Sequence, residues 1–147
     1  MDILTPAERS ARMALIGAVD SLFELRVRNA LHKLGYRYRK HDRRLPGKPD
    51  LVFPSRRKVI FLHGCFWHGH HCRLGRMPKT RTEYWQPKIS GNRSRHRRNV
   101  KALRGLGWST LTVWECQMKR FDALLALIER FLNGPKPFRP ARDTCRA

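Results

Sequence analysis

VIFLHGCFWHGHHC, residues 59–72, decides how this chain is read. Four apolar residues of strand character, Val59–Leu62, run straight into a tract holding two of the four cysteines and four of the seven histidines. Phe66 and Trp67 sit among them. A hydrophobic core has no use for that mixture, whereas His and Cys at this density point to metal, catalysis or both.

Upstream of the tract, Ser21 and Glu24 have capping-box spacing, so a helix is predicted to start there. Leu22, Leu25, Val27, Ala30, Leu31 and Leu34 form its apolar side, and Gly35 is placed as its stop. Tyr36–Arg39 alternates as a strand would, and a basic loop with two prolines follows over 41–50. Leu51–Phe53 and Val59–Leu62 pair most simply as a hairpin. Downstream, Thr82–Ile89 reads as a helix limited by Pro87, and Asn92–Leu106 as a second helix that Gly107 ends. Trp108–Trp114 is strand-like and delivers Glu115 and Cys116 to its end, and an amphipathic helix covers Phe121–Leu132. The order helix, three strands, two helices, strand, helix predicts a mixed α/β domain over 21–133. An N-terminal arm, 1–20, and a Pro/Arg-rich tail, 134–147, expected to be disordered, flank it.

Across the 147 residues, 32 Lys+Arg oppose 11 Asp+Glu, a formal net charge of +21. Such charge repels itself until a polyanion neutralises it, and nucleic acid is the natural partner because each neutralised phosphate releases counterions. A membrane surface is the alternative, but there is no basic amphipathic helix, lipidation motif or long apolar run to support it. No signal peptide is visible at 1–21, so a cytosolic protein with reduced or metal-bound cysteines is expected.

Cys65, His70 and Cys72 fall in C-x4-H-x-C, and Cys116 lies at a strand end that a sheet could bring alongside. Three thiolates and one imidazole are the ligand set of structural zinc, with His71 competing with His70 for the fourth place. A second constellation joins Asp50, at the start of one strand, to Phe61-Leu62-His63, at the end of the next. A hairpin with a carboxylate and a carbonyl at one edge suits a Mg²⁺ ion. His63 and His68 are the histidines zinc does not require, and an imidazole can activate a water beside a phosphate. Glu24 could add a carboxylate, although the capping box also accounts for it.

With these residues in place, the sequence resembles the very-short-patch repair (Vsr) mismatch endonucleases over roughly residues 9–120. The landmarks are Arg9-Ser10, Met13, Glu24, LPGKPDLVF (45–53), the 59–72 tract, TRTEYWQPKI (80–89), Asn92, Gly107-Trp108 and VWEC (113–116). The resemblance implies a restriction-endonuclease-like fold of the PD-(D/E)XK type, with Phe61-Leu62-His63 in place of the usual Glu-x-Lys. It implies a strand-specific nick 5′ to the T of a T:G mismatch left by 5-methylcytosine deamination. Carried over by position, Asp50 and the Leu62 carbonyl would bind Mg²⁺, and His68 would be the base. His63 and Glu24 would hold metal-bound waters or phosphate, and Cys65, His70, Cys72 and Cys116 would bind Zn²⁺.

Phe66, Trp67 and Trp85 would wedge into the base stack beside the mismatch, with core packing as the competing reading. Trp108 and Trp114, in a strand, are read as core. Asn92, Arg93, Arg95, Arg97 and Arg98 would contact DNA. The implied setting is a cytoplasmic, nucleoid-associated monomer, working with mismatch-repair proteins and a cognate cytosine methyltransferase. Three positions depart from the family pattern: Leu62 replaces a common Thr, His96 a common Asp and Gly69 a histidine.

Overall fold

The computed structural model describes residues 5–7, 22–77 and 79–136. Ser21, most of the N-terminal arm, and the tail beyond Lys136 with Cys145 lie outside the described residues. A four-stranded sheet runs in the order β1 (Arg39–Lys40), β2 (Leu51–Phe53), β3 (Lys58–His63) and β4 (Ser109–Trp114). β1, β2 and β3 are antiparallel neighbours, while β3 and β4 are parallel, with Leu62 opposite Val113 and His63 opposite Trp114. Helices α1 (Leu22–Lys33) and α3 (Phe121–Asn133) cover one face, and α2 (Thr82–Gly105) covers the other.

This layering explains the sequence of β3. A strand buried on both faces needs apolar residues at consecutive positions, not alternate ones. Ile60 packs with Val27, Leu31 and Ile128 on the α1/α3 side, whereas Val59 and Phe61 pack with Leu103 of α2. The strand therefore carries both cores to one end of the sheet, where the His/Cys loop begins.

Both predicted glycine stops hold. Gly35 has φ +94°, with Tyr36 N–H donating to Leu31 O and Gly35 N–H to His32 O. Gly107 has φ +86°, with Trp108 N–H donating to Leu103 O and Gly107 N–H to Arg104 O. Each is a Schellman closure, which needs the left-handed backbone that glycine takes without a Cβ clash.

Three expectations change. The segment 82–105 is one helix of 24 residues, not two. Pro87 falls in its second turn and removes one intrahelical bond, and burial of Trp85, Ile89 and Leu103 on the same rod outweighs that loss. In α1 the buried stripe is Phe23, Val27 and Leu31, at i, i+4 and i+8, while Leu22 is 77% exposed and Leu34 51%. The first strand is only Arg39–Lys40, because Tyr36 and Tyr38 turn to the core. Their hydroxyls donate to Glu129 Oε1 at 3.3 Å and to Arg28 O at 3.1 Å.

The basic turn between β2 and β3 is structural. Arg57 donates to Leu106 O and Gly107 O at the end of α2, at 2.8 and 3.2 Å. Lys58 is 2% exposed, and its ammonium donates to Phe131 O, Leu132 O and Gly134 O at the end of α3. Cations there satisfy carbonyls that the helix cannot and meet the negative end of the dipole. Among the described residues no helix is long and apolar enough to cross a membrane.

Candidate active site and metal centre

The loop after β3 coils back on itself through successive turns. His68 N–H donates to Gly64 O, Gly69 N–H to Phe66 O and His70 N–H to Cys65 O. Parallel pairing of β3 with β4 then sets Cys116, just past the end of β4, beside this loop. One donor atom each from Cys65, His70, Cys72 and Cys116 lies within 4.8 Å of the others. His71 is outside this set, so the geometry separates two histidines that spacing could not. The three cysteines are not disulfide-bonded, and Cys65 is fully buried. Burial pushes the Cys65 thiol up to about 12 and Cys116 upward as well. A cation bound among them would reverse that, holding the sulfurs as thiolates. The donor set therefore fits a closed tetrahedral metal site. A Cβ at Gly75 would stand 2.0 Å from His70 O, so only glycine lets the chain pass this close to the loop.

At the other edge of β3, Asp50 Oδ2 accepts the Leu62 N–H at 2.7 Å. In a ladder one residue's N–H and C=O face the same neighbour, so the Leu62 carbonyl is also on the Asp50 side. Burial pushes the Asp50 carboxyl up to about 6, and the Glu24 charge adds to this, against the Leu62 hydrogen bond and His41. Glu24 reaches this edge from α1. Its Oε1 lies 2.7 Å from His41 Nε2 and 3.6 Å from an Arg28 guanidinium nitrogen. Glu24, His41 and Asp50 form a second group whose donor atoms lie within 4.8 Å of one another.

His41 was missed from sequence. The signal that could have found it is register: Lys40 faces Leu51, so the next position faces Asp50, and His41 N–H donates to Asp50 O at 3.1 Å.

On the α2 face, His63 and His68 stack with ring centroids 3.5 Å apart and planes 7° apart. His96 meets His63 edge-on at 4.2 Å, and its Nε2 lies 3.1 Å from Thr112 Oγ1. Burial disfavours the charged form of all three imidazoles, pushing His63 down to about 2 and His68 to about 4, and lowering His96. The near-neutral titration expected for His68 is therefore displaced by its surroundings. The buried Nδ1 atoms of His63 and His68 have no hydrogen-bond partner among the described residues. These rings line a cavity of about 440 Å³ with Arg93, Arg97, His70 and Trp114. Neutral imidazoles beside two guanidiniums suit a phosphate. His96, unexplained in the sequence, is thus part of the pocket wall. So is Trp114, which stacks on His70 at 4.1 Å and is more than core packing.

Phe66, Trp67 and Trp85 meet edge-to-face in a single cluster, with centroids 5.1–5.8 Å apart. Trp85 is 8% exposed, while Phe66 and Trp67 are half-buried. Asn92 Nδ2 donates to Trp67 O at 2.8 Å, which ties the aromatic cluster to α2. Arg95 bonds to Asn92 Oδ1. Arg93, Arg97 and Arg98 are exposed along the same helix. Gly69 has φ +60°, and a Cβ there would lie 2.7 Å from Ile89 Cγ2, which accounts for glycine in the tract.

Comparison with known proteins defines the class first: this chain is a DNA endonuclease, a hydrolase of the phosphodiester backbone. The family model described as DNA mismatch endonuclease Vsr matches residues 1–74. The type II nicking enzyme V.XorIIP of Xanthomonas oryzae pv. oryzae is 47% identical over 132 residues, covering 90% of this chain and 97% of that protein. The DNA mismatch endonuclease Vsr of Escherichia coli is 45% identical over 131 residues, covering 88% and 84%. V.NmeAIP of Neisseria meningitidis, another type II nicking enzyme, is 42% identical over 118 residues, covering 80% and 84%. The chain belongs to the Vsr family of DNA mismatch endonucleases.

Proposed function

We propose that the chain is a Mg²⁺-dependent, strand-specific nickase that cuts 5′ to the T of a T:G mismatch, on a restriction-endonuclease-like domain stapled by zinc. The observation that carries the reading is the Asp50–Leu62 bond, which fixes a carboxylate and a backbone carbonyl on one strand edge, next to His63. Magnesium held by Asp50 and the Leu62 carbonyl would supply Lewis-acid stabilisation of charge on the phosphate.

The chain's own groups do the rest. His68, neutral and stacked on His63, is the base that takes a proton from water. Its basicity rises once a phosphate dianion or diester faces it, since a nearby negative charge favours the imidazolium. His63 and Glu24 orient water or phosphate oxygens. Arg93 and Arg97, at the cavity wall, hold the backbone in register, and Arg95 and Arg98 extend the cationic face. Cys65, His70, Cys72 and Cys116 hold Zn²⁺, which makes the loop bearing His68, Phe66 and Trp67 rigid. Phe66 and Trp67, backed by Trp85, enter the stack where a T:G wobble makes unstacking cheaper. Asn92 sets the Trp67 backbone for that insertion.

The test compares duplexes carrying T:G or C:G at one site, with Mg²⁺ or EDTA. Selective, EDTA-sensitive nicking of T:G is expected, and equal cutting of both duplexes sinks the mismatch claim. A second reading is favoured by relatives named nicking enzymes: the same chemistry on another DNA substrate. In either case the protein acts as a cytoplasmic monomer on DNA, and the mismatch reading adds repair proteins and a cytosine methyltransferase as its setting.

A further inference from the structure

We propose that His41 is a direct ligand of the catalytic metal, and that this nitrogen donor shifts the site toward first-row divalent transition ions over Mg²⁺. The inference rests on the proposal above that Asp50 holds a metal. His41 leaves β1 in the left-handed region at φ +47°, with its N–H bonded to Asp50 O, which turns its ring along the strand edge between Glu24 and Asp50. Nε2 is 2.7 Å from Glu24 Oε1. An ionised carboxylate can only accept, so Nε2 carries the proton in that bond. Nδ1 then turns to Asp50 Oδ1 at 3.6 Å, too long for a hydrogen bond. Two donors held about 2.1–2.2 Å from one ion stand roughly 3–4 Å apart, so the separation matches neighbouring ligands of a shared ion.

Oδ2 is the Asp50 atom engaged by the Leu62 N–H, and Oδ1 is the one that faces His41. The line Glu24–His41–metal–Asp50 is the carboxylate–histidine–metal arrangement, in which the outer carboxylate fixes the ring and raises its basicity. The side chains of His41, Asp50 and Glu24 are 34%, 22% and 12% exposed, so an ion can enter while the donors remain partly desolvated. Mg²⁺ takes oxygen donors and gives up water reluctantly, whereas imidazole favours transition ions. A site of one nitrogen and two protein oxygens discriminates accordingly.

The test uses the full-length, zinc-loaded chain with Mn²⁺ as a paramagnetic probe. Electron spin-echo modulation of bound Mn²⁺ should show directly coordinated ¹⁴N, and the modulation should vanish in His41→Gln. That variant should lose at least about tenfold in Mn²⁺ affinity while Mg²⁺ affinity changes less than about threefold. Zinc content and thermal midpoint equal to wild type establish that the variant is folded. Unchanged modulation and Mn²⁺ affinity in His41→Gln overturn the ligand assignment, and equal weakening of both ions overturns the metal preference. Asp50→Ala separates the two levels. Mn²⁺ binding that survives it overturns the site itself, while binding lost in Asp50→Ala but kept in His41→Gln overturns only His41.

Discussion

Asp50 and Leu62 are joined across the β2–β3 edge by a 2.7 Å hydrogen bond from a backbone N–H to Oδ2. The bond holds an acidic group that burial disfavours, and it sets that group one residue from His63, the first imidazole of the pocket. Asp50→Asn should therefore abolish metal-dependent nicking, by about 10²-fold or more, without lowering the unfolding midpoint. A midpoint that falls by several degrees would mean the carboxylate is structural.

Cys116→Ser removes the one ligand that comes from just past the end of β4 rather than from the loop after β3. Metal analysis should show about one zinc per chain in the wild type and a clear loss in the variant, because structural-metal binding energy is folding energy. The thermal midpoint should fall with it. A folded, zinc-free Cys116→Ser protein of wild-type stability would refute the staple.

Lys58→Met keeps the buried stem and strips the ammonium from three carbonyls at the end of α3. Leu132 O keeps its bond from Arg56, but leaving Phe131 O and Gly134 O without the ammonium costs about 1–3 kcal/mol, which denaturant titration will read directly. Nicking per folded molecule should be unchanged, since Lys58 lies at the opposite end of β3 from His63.

Arg93→Ala and Arg97→Ala each remove one guanidinium from the cavity wall. If each neutralises a phosphate, the slope of log affinity against log salt should become shallower by about one per substitution. A slope that does not move would take these arginines off the DNA backbone.

His96 supplies a pH prediction. Burial lowers its folded pKa below the usual 6.5, against His63 on β3, His68 on the loop and Thr112 on β4. The unfolded chain then binds more protons than the folded one below about 6.5, so stability contributed above that value is lost as pH falls. Denaturant titrations from pH 7.5 to 5.5 should show wild type losing more stability than His96→Gln. Parallel losses would show that His96 does not titrate in this window.

The sequence displayed its elements where a local signal was strong. Gly35 and Gly107 announced their helix ends because only glycine takes that backbone freely, and the apolar run Val59–Leu62 announced a strand. The His/Cys density of 65–72 pointed to metal, catalysis or both because no core accommodates it. Pro87 misled, since the cost of one lost helical bond is local while the burial of Trp85, Ile89 and Leu103 that repays it is not. Arg57 and Lys58 carry no local sign of their role, because their acceptors lie 49 to 76 residues away.

What the sequence determined by itself was chemical inventory and local geometry: a cationic chain, a thiolate–imidazole tract, an acid at one strand start and histidines at the next strand end. The grouping of His70, which the resemblance already favoured over His71, with the three cysteines, the stacking of His63 on His68, and the meeting of Glu24, His41 and Asp50 are seen only in the tertiary structure. Those relationships depend on register and on which face each strand residue takes. Both are set by packing between elements distant in the chain, and no local spacing encodes them.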